Sequence, residues 1–364
     1  MAKVKKKTPE PVAPAPPPRP RPTIPVQAIV KWVSEARPDK EVGVGMSFYI
    51  VRDGEIRATD GKMTASYPWP NDDVFLVSGT EFERVLARMG EDVAIDAAFT
   101  ADSITVSSDR FTATIGTLPP DVWGYHGVED AAWREVPDNF IAVLKSLRAF
   151  ISDNPAQSWA GCVAIDHGNC YATNNIALAG AACDVGDAQA LLPASAIDFV
   201  LRRVEGLVSW HRSDNYIAFR WESGAWMRVQ CVEGKFPERA AGMVREAYDV
   251  EPTQEITDEF REAFADVAGL AEDTIKIFSD RLESRFKKSI VVANCECEVP
   301  PDTESWDAAS QKNKPVAGGC SIWGAAFLAP VISQATHWSP SLWPKPAPFR
   351  GEAVAGFIVG RKAE

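Results

Sequence analysis

Tyr171-Ala172-Thr173-Asn174-Asn175-Ile176-Ala177-Leu178 reads as a strand that ends in a tight turn and starts again, because an Asn-Asn pair tolerates the positive φ such a turn demands. About one structural unit earlier, Ala58-Thr59-Asp60-Gly61 stands at the same kind of junction, with Asp-Gly as the turn pair. The likeness extends outward from there. Leu76-Val77-Ser78-Gly79 leads into one helix and Leu191-Leu192-Pro193-Ala194 into another, with Ser78 placed as an N-cap and Pro193 suited to a first helical turn. A long-period internal repeat of this kind sets the fold class before any short motif does.

Each unit opens with an amphipathic helix. The spacing of apolar residues predicts helices over Val26–Ala36, Asn139–Phe150 and Glu255–Val267. Strand-like alternation follows: Phe48–Val51 and Glu55–Thr59, then Gly161–Ile165 and Cys170–Thr173, then Thr274–Phe278 and Ile290–Glu298. A second helix comes next, at Gly79–Met89, Ala194–Val204 and Ala325–Thr336. Paired strands complete the first unit (Val93–Phe99, Ser103–Ser107, Arg110–Thr117) and the second (Gly206–His211, Asn215–Trp221, Ala225–Cys231), while Glu352–Gly360 closes the third. Without the first 25 residues the chain has 339, or 113 per unit. The expectation is an α+β protein of three similar domains, 26–134, 135–250 and 251–364, each with two helices on antiparallel sheets.

Composition bounds the function. Hydrophobic residues make up 46 % of the 364, ample for packed cores. No apolar run approaches the ~18 residues of a membrane span. With 38 Lys and Arg against 50 Asp and Glu, the net charge of −12 argues against a nonspecific nucleic-acid coat but allows basic groups gathered on one surface. Seven cysteines, an odd number with no export signal, point to reduced thiols and a cytoplasmic location. Residues 1–25 stand apart, with nine of the 27 prolines and Lys3, Lys5, Lys6, Lys7, Arg19 and Arg21 against Glu10, a local charge of +5. This composition reads as a solvated tail or as a tether that touches phosphates or a partner's aromatic groove.

The second unit resembles the bacterial-type DNA polymerase sliding clamps (the beta subunit of the replicative polymerase), in a divergent, phage-type version. Tyr171–Leu178 stands where that family has a strand ending in Ala-Thr-Asp-Gly-His-Arg-Leu, and Leu192–Leu201 resembles its Val-Pro-Arg-Lys helix start. Ser213-Asp214-Asn215-Tyr216-Ile217 and Gly234-Lys235-Phe236-Pro237 match its Ser-Asn-Asn strand and Gly-x-Phe-Pro turn. The likeness is clear in the second domain, fair in the first and thin in the third. It implies a head-to-tail homodimeric ring around double-stranded DNA, held without sequence preference, with DNA polymerase and clamp loader as partners and no catalysis, cofactor or metal. A ring holds DNA by topology, so its inner helices need only a mild basic surface that follows phosphates.

What the resemblance implies residue by residue is as follows. The DNA-facing cations are Lys31, Arg84, Arg88, Lys145, Arg148, Arg202 and Arg203. The third unit departs from the scheme, since its first helix offers Glu255, Asp258, Glu259, Glu262 and Asp266 against Arg261 alone. The partner-peptide groove falls on Thr173, Asn175, Ile176 and Leu178, faced by Pro252, Ile358 and Val359; Asn174-Asn175-Ile176-Ala177 replaces Asp-Gly-His-Arg and makes the groove more apolar. The dimer interface pairs the strand carrying Thr112 and Ile115 with Phe264, Val267 and Leu270 of a neighbour.

Other chemistry finds little support. Cys295 and Cys297 lack a second ligand pair at zinc spacing, Asp166, His167 and Cys162 lack a nucleophile elbow, and no phosphate-binding loop occurs. A phage structural or interaction protein that keeps the clamp architecture without encircling DNA is the alternative, favoured by the acidic third unit. A thiol- or metal-dependent hydrolase is a distant third.

Overall fold

The structure, a computed structural model, describes residues 25–38, 46–70, 72–89, 94–96, 102–108, 110–118, 127–128, 132–153, 156–301, 303–307, 312–316 and 319–361. The segment before Pro25 and most of the expected strand Val93–Phe99 lie outside these residues. By contact density the chain divides into two units, Met1–Asp60 with Tyr67–Gly124, and Gly61–Ser66 with Tyr125–Glu364.

In the first unit, helices α1 (Val26–Ser34) and α2 (Gly79–Leu86) pack together and bury Val26, Ile29, Val30 and Val33 from one, Phe82 and Leu86 from the other. Phe48–Arg52 pairs with Glu55–Thr59 on one side and with Phe75–Ser78 on the other. Phe75–Ser78 then meets the end of Phe111–Leu118, which pairs with Ser103–Ser108 and through it with Ala94–Asp96. Tyr49, Phe75 and Phe82 meet edge-on at the core. Arg37, just past α1, donates to both carboxylate oxygens of Glu83 on α2 at 3.1 and 3.2 Å, and the Tyr49 hydroxyl donates to the same carboxylate. Ser78 occupies the N-cap position but its side chain makes no cap hydrogen bond; the Gly79 N–H donates to the Ser47 carbonyl at 2.9 Å instead.

The second unit holds α3 (Phe140–Arg148), α4 (Ala194–Leu201), α5 (Glu238–Asp249), α6 (Asp258–Ala268) and α7 (Ala325–Gln334). The α3/α4 and α6/α7 pairs repeat the packing of α1 on α2. An eight-stranded sheet runs in the order Gln189–Pro193, Cys162–Asp166, Asn169–Thr173, Ala177–Ala182, Ala355–Ile358, Ala347–Arg350, His337–Trp338, Gln254–Glu255. Its seam, Ala177–Gly180 against Ala355–Ile358, joins the second repeat to the third. Gly356 makes that approach possible, because a Cβ there would stand 1.9 Å from the Leu178 carbonyl oxygen. Phe150 and Phe349 stack beside the seam at 5.5 Å.

Three further sheets belong to this unit among the described residues, one of them the hairpin of Thr303–Asp307 and Lys312–Val316. Met63–Ser66, Trp226–Gln230, Tyr216–Trp221, Leu207–Arg212 and Arg134–Glu135 pair in that order, with Phe140 packed on Trp210 and Phe219. Ser289–Asn294, Arg281–Phe286, Thr274–Phe278 and Cys320–Gly324 form a four-stranded sheet against α6. Every described strand pair named here is antiparallel, and the α+β class matches the expectation. The differences are local. The third unit's first helix starts at Asp258 rather than Glu255, because Gln254–Glu255 are held as a strand and the Thr257 hydroxyl caps the helix by accepting from the Phe260 N–H at 3.1 Å. The closing strand shortens to Ala355–Ile358, since the Gly351 N–H closes a turn on the Val354 carbonyl. Helix α5 is wholly additional.

Candidate functional site

The seven expected DNA-facing cations fall into two groups. Lys31, Arg84, Arg88 and Lys145 are exposed and make no ion pair among the described residues, and Arg202 is exposed at the end of α4. Helix α2 ends at Leu86, and Arg88 follows in a tighter turn, its N–H donating to the Val85 carbonyl at 3.0 Å. Arg148 differs in kind. Its Nε and Nη2 donate to the two Asp198 carboxylate oxygens at 2.8 and 3.2 Å, with Asp153 at 3.6 Å, so its charge is compensated where α3 meets α4. The carboxylates hold the Arg148 pKa above its ordinary value. Arg203 lies with its guanidinium 3.9 Å from the Phe199 ring centre, a cation–π contact that also covers the ring.

In the third repeat the exposed side of α6 shows Asp258, Glu259, Glu262 and Asp266. Its one cation, Arg261, donates to the carbonyls of Ile332 and, at 2.7 Å, Ala335, where the C-terminal end of α7 concentrates negative potential. That arginine therefore serves the helix pair and leaves the acidic face uncompensated.

The expected groove residues come together with one exception. Asn175 adopts a φ of 72°, and the Asn174 side chain accepts from the N–H groups of Ile176 and Ala177 at 3.1 and 2.8 Å. The Thr173 hydroxyl donates to the Ala177 carbonyl at 2.8 Å and accepts from the Asn175 N–H at 3.0 Å. Ile358 faces Ala177 in the ladder, and the Val359 N–H donates to the Ile176 carbonyl at 3.0 Å. Ile358 is fully buried and Leu178 nearly so, while Asn175 and Val359 are exposed. Pro252 is elsewhere. It precedes the edge strand Gln254–Glu255, three strand steps and so about 14 Å from Ala355–Ile358.

The apolar surroundings of Leu178 are instead Cys162, Tyr171 and Leu191 from the sheet and Ala241 and Val244 from α5, with half-buried Trp159, Phe236 and Met243 against them. Phe236 stacks on Tyr171 with ring centres 5.5 Å apart, and Trp159 meets Phe236 edge-on at 5.8 Å. A cleft of about 550 Å³ opens between the Gln189–Leu191 edge and residues 230–236. The sequence pattern alone does not single out Trp159, Met243 or α5, though the Ala241, Val244 and Ala247 spacing behind Pro237 is a helical signal.

No family model and no curated protein sequence matches the chain. Solved structures do. The DNA polymerase sliding clamp from Caulobacter crescentus superposes with a TM-score of 0.74 at 14 % identity, covering 94 % of this chain and 99 % of that one. The beta clamp of Helicobacter pylori, solved bound to a DNA ligase peptide, gives 0.69 at 12 %, covering 93 % and 98 %. The sliding clamp of Pseudomonas aeruginosa, solved bound to griselimycin, gives 0.71 at 13 %, covering 94 % and 99 %.

The chain has the fold of the bacterial beta sliding clamps.

Within this clamp fold the candidate interface residues separate. Thr112 is exposed on Phe111–Leu118 and Ile115 is buried beneath it. Phe264 and Val267 are core residues of α6, which leaves Leu270, 46 % exposed, at the surface. Strand Ser289–Asn294 ends its sheet and carries Ile290 and Val292 at 65 and 49 % exposure. Among the described residues, 111–116 also pair on one side only, because Phe75–Ser78 reaches no further than Thr117 and Leu118. Three of the thiols, Cys162, Cys295 and Cys297, lack the character of nucleophiles. Burial pushes Cys162 and Cys297 up to about 12 and Cys295 up to about 11, far above the range in which a thiolate forms at neutral pH.

Proposed function

We propose that the protein is a DNA sliding clamp, a cytoplasmic processivity factor without catalytic activity. Two copies close head to tail around duplex DNA and tether a DNA polymerase, with a clamp loader opening the ring. The modules are residues 26–134, 135–250 and 251–364. The observation that carries this reading is the match to clamp structures along 94 % of the chain, with the helix pair recurring three times in it. Ring closure is supported by the two open edges, residues 111–116 and Ser289–Asn294, since exposed apolar strand edges are otherwise an aggregation hazard. Partner docking is supported by the apolar cluster around Leu178 and by the DNA ligase peptide carried by the Helicobacter clamp.

Mass in solution tests closure. The 39.7 kDa chain should run as a stable dimer at micromolar concentration, and a monomer there would count against the ring. The acidic face of α6 favours a second reading, a scaffold that keeps the architecture without holding DNA, and that reading predicts no salt-dependent DNA association.

Two salt titrations assign the inner surface. Arg84→Ala with Arg88→Ala should lower the slope of log affinity against log salt by about 1.8 per protomer if each cation neutralises one phosphate. An unchanged slope places them away from DNA. Asp198→Asn should act in the opposite direction, raising the slope by up to about 0.9 per protomer as Arg148 is released from its carboxylate partner.

A further inference from the structure

Cys170 and Cys183 meet on one face of the eight-stranded sheet. In the ladder between Asn169–Thr173 and Ala177–Ala182, Cys170 lies opposite Ala181 and Asn169 opposite Ala182. Cys183 carries the ladder one step further, its N–H donating to the Gly168 carbonyl at 2.9 Å. Two residues on from Ala181, it shares the Cys170 face and sits diagonally across the strand pair. A hydrogen bond joins the two thiols. Cys162 belongs to the other face, with Tyr171 and α5. Cys170 is fully enclosed, whereas Cys183, 2 % exposed, lies between exposed Ala182 and Asp184. The hydrogen bond pulls the Cys183 pKa below its ordinary value, against burial and the Asp184 charge, and with burial pushes that of Cys170 up. Cys170 is therefore the donor, and Cys183 is the sulfur with more thiolate character.

We propose that Cys170 and Cys183 form an oxidative modification site at which hydrogen peroxide converts the hydrogen-bonded thiols to a disulfide. A peroxide suits the site because only a small oxidant reaches a sulfur that is 2 % exposed. The Cys183 thiolate attacks one peroxide oxygen, the O–O bond breaks, and the hydroxide released takes up the thiol proton as water, leaving a sulfenic acid. The Cys170 sulfur then attacks the Cys183 sulfur, the S–O bond breaks, and a second water leaves with the Cys170 proton. Two thiols lose two electrons and the peroxide gains them. Sulfurs already in hydrogen-bond contact close to the disulfide length of about 2.0 Å by side-chain rotation. The bond staples the open end of the hairpin whose other end is the Asn174–Ile176 turn. It needs neither ring closure nor DNA, so it stands or falls separately from the clamp reading.

The test treats the reduced full-length protein with hydrogen peroxide, blocks free thiols with an alkylating reagent under denaturing conditions, and maps peptides by mass. A protease that cuts before aspartate releases residues 166–183, between Asp166 and Asp184, with Cys170 and Cys183 as their only cysteines. This peptide should appear two hydrogens lighter and unalkylated, and should do so at least about tenfold faster than Cys162, Cys295 or Cys297 is oxidised. In a Cys170→Ser variant with unchanged thermal unfolding, the serine hydroxyl still donates but cannot bridge, so Cys183 should stop at the sulfenic acid and be trapped by dimedone. The parent protein decides the bridge whether or not the variant folds. A 166–183 peptide that still takes up two alkyl groups, a bridge that forms first at other cysteines, or a folded variant whose Cys183 stays unmodified would each overturn the assignment.

Discussion

Replacing Gly356 by alanine should destabilise the second unit by about 3 kcal/mol or more, at the upper end of what overpacking costs, because the added carbon meets backbone. The Cβ would stand 1.9 Å from the Leu178 carbonyl oxygen and 2.7 Å from the Phe349 ring. A flexible side chain could turn aside from such a contact, whereas a carbonyl fixed between two strands cannot. The seam between Ala177–Gly180 and Ala355–Ile358 must open, and Leu178 with its apolar surroundings moves with it. Chemical denaturation of the variant beside the parent measures the change. Gly319→Ala is the control: it has positive φ (78°) and nothing within 4 Å, so it carries only the backbone strain of about 1 kcal/mol. Equal losses at the two positions would mean that the seam is not packed as described.

If the protein closes as the proposed dimer, Ile290→Asp with Val292→Asp should convert that dimer to monomer and leave the fold intact. Both side chains are more exposed than buried or nearly so, and among the described residues their strand has one unpaired edge, so the isolated protomer loses little. Interface anchors of this kind cost roughly 1–2 kcal/mol each when removed, so about 3 kcal/mol at each of the ring's two interfaces, about 6 in all, corresponds to a dissociation constant some 10,000-fold weaker. Sedimentation at micromolar concentration should show the 39.7 kDa species, with the thermal unfolding of the chain unchanged. A variant that stays dimeric would move the interface away from Ser289–Asn294.

The parts of the fold legible in the sequence were those encoded locally. Asn174-Asn175 and Asp60-Gly61 are turn pairs by composition, and Asn175 and Gly61 do adopt positive φ. The six repeat helices announce themselves through apolar spacing such as Phe140, Val143, Leu144 and Leu147. Helix α5 escaped because its buried residues, Ala241, Val244 and Ala247, are small, and small residues make a faint apolar stripe. The same helical periodicity that found α6 also places Phe264 and Val267 in the core, so they could not serve an interface. The interface proposed at Ser289–Asn294 rests on Ile290-Val291-Val292, apolar on both faces of a strand where one buried face needs only alternation.

Tertiary pairing was the other blind spot. Arg148 and Asp198 lie 50 residues apart, and nothing in the composition of α3 says that its last arginine is already neutralised. Arg261 is the one cation on an acidic helix, yet its guanidinium faces the carbonyls that end α7. Charge counts along a helix give what is available; only the packing tells which charges are spent on the protein itself.

Whether the protein holds DNA as a closed hoop is best decided on circular duplex. Loaded with a clamp loader and ATP and then passed through a sizing column, the protein should travel with the circle and fall off after a single restriction cut. Equal retention on cut and uncut molecules, or no retention on the circle, would contradict encirclement.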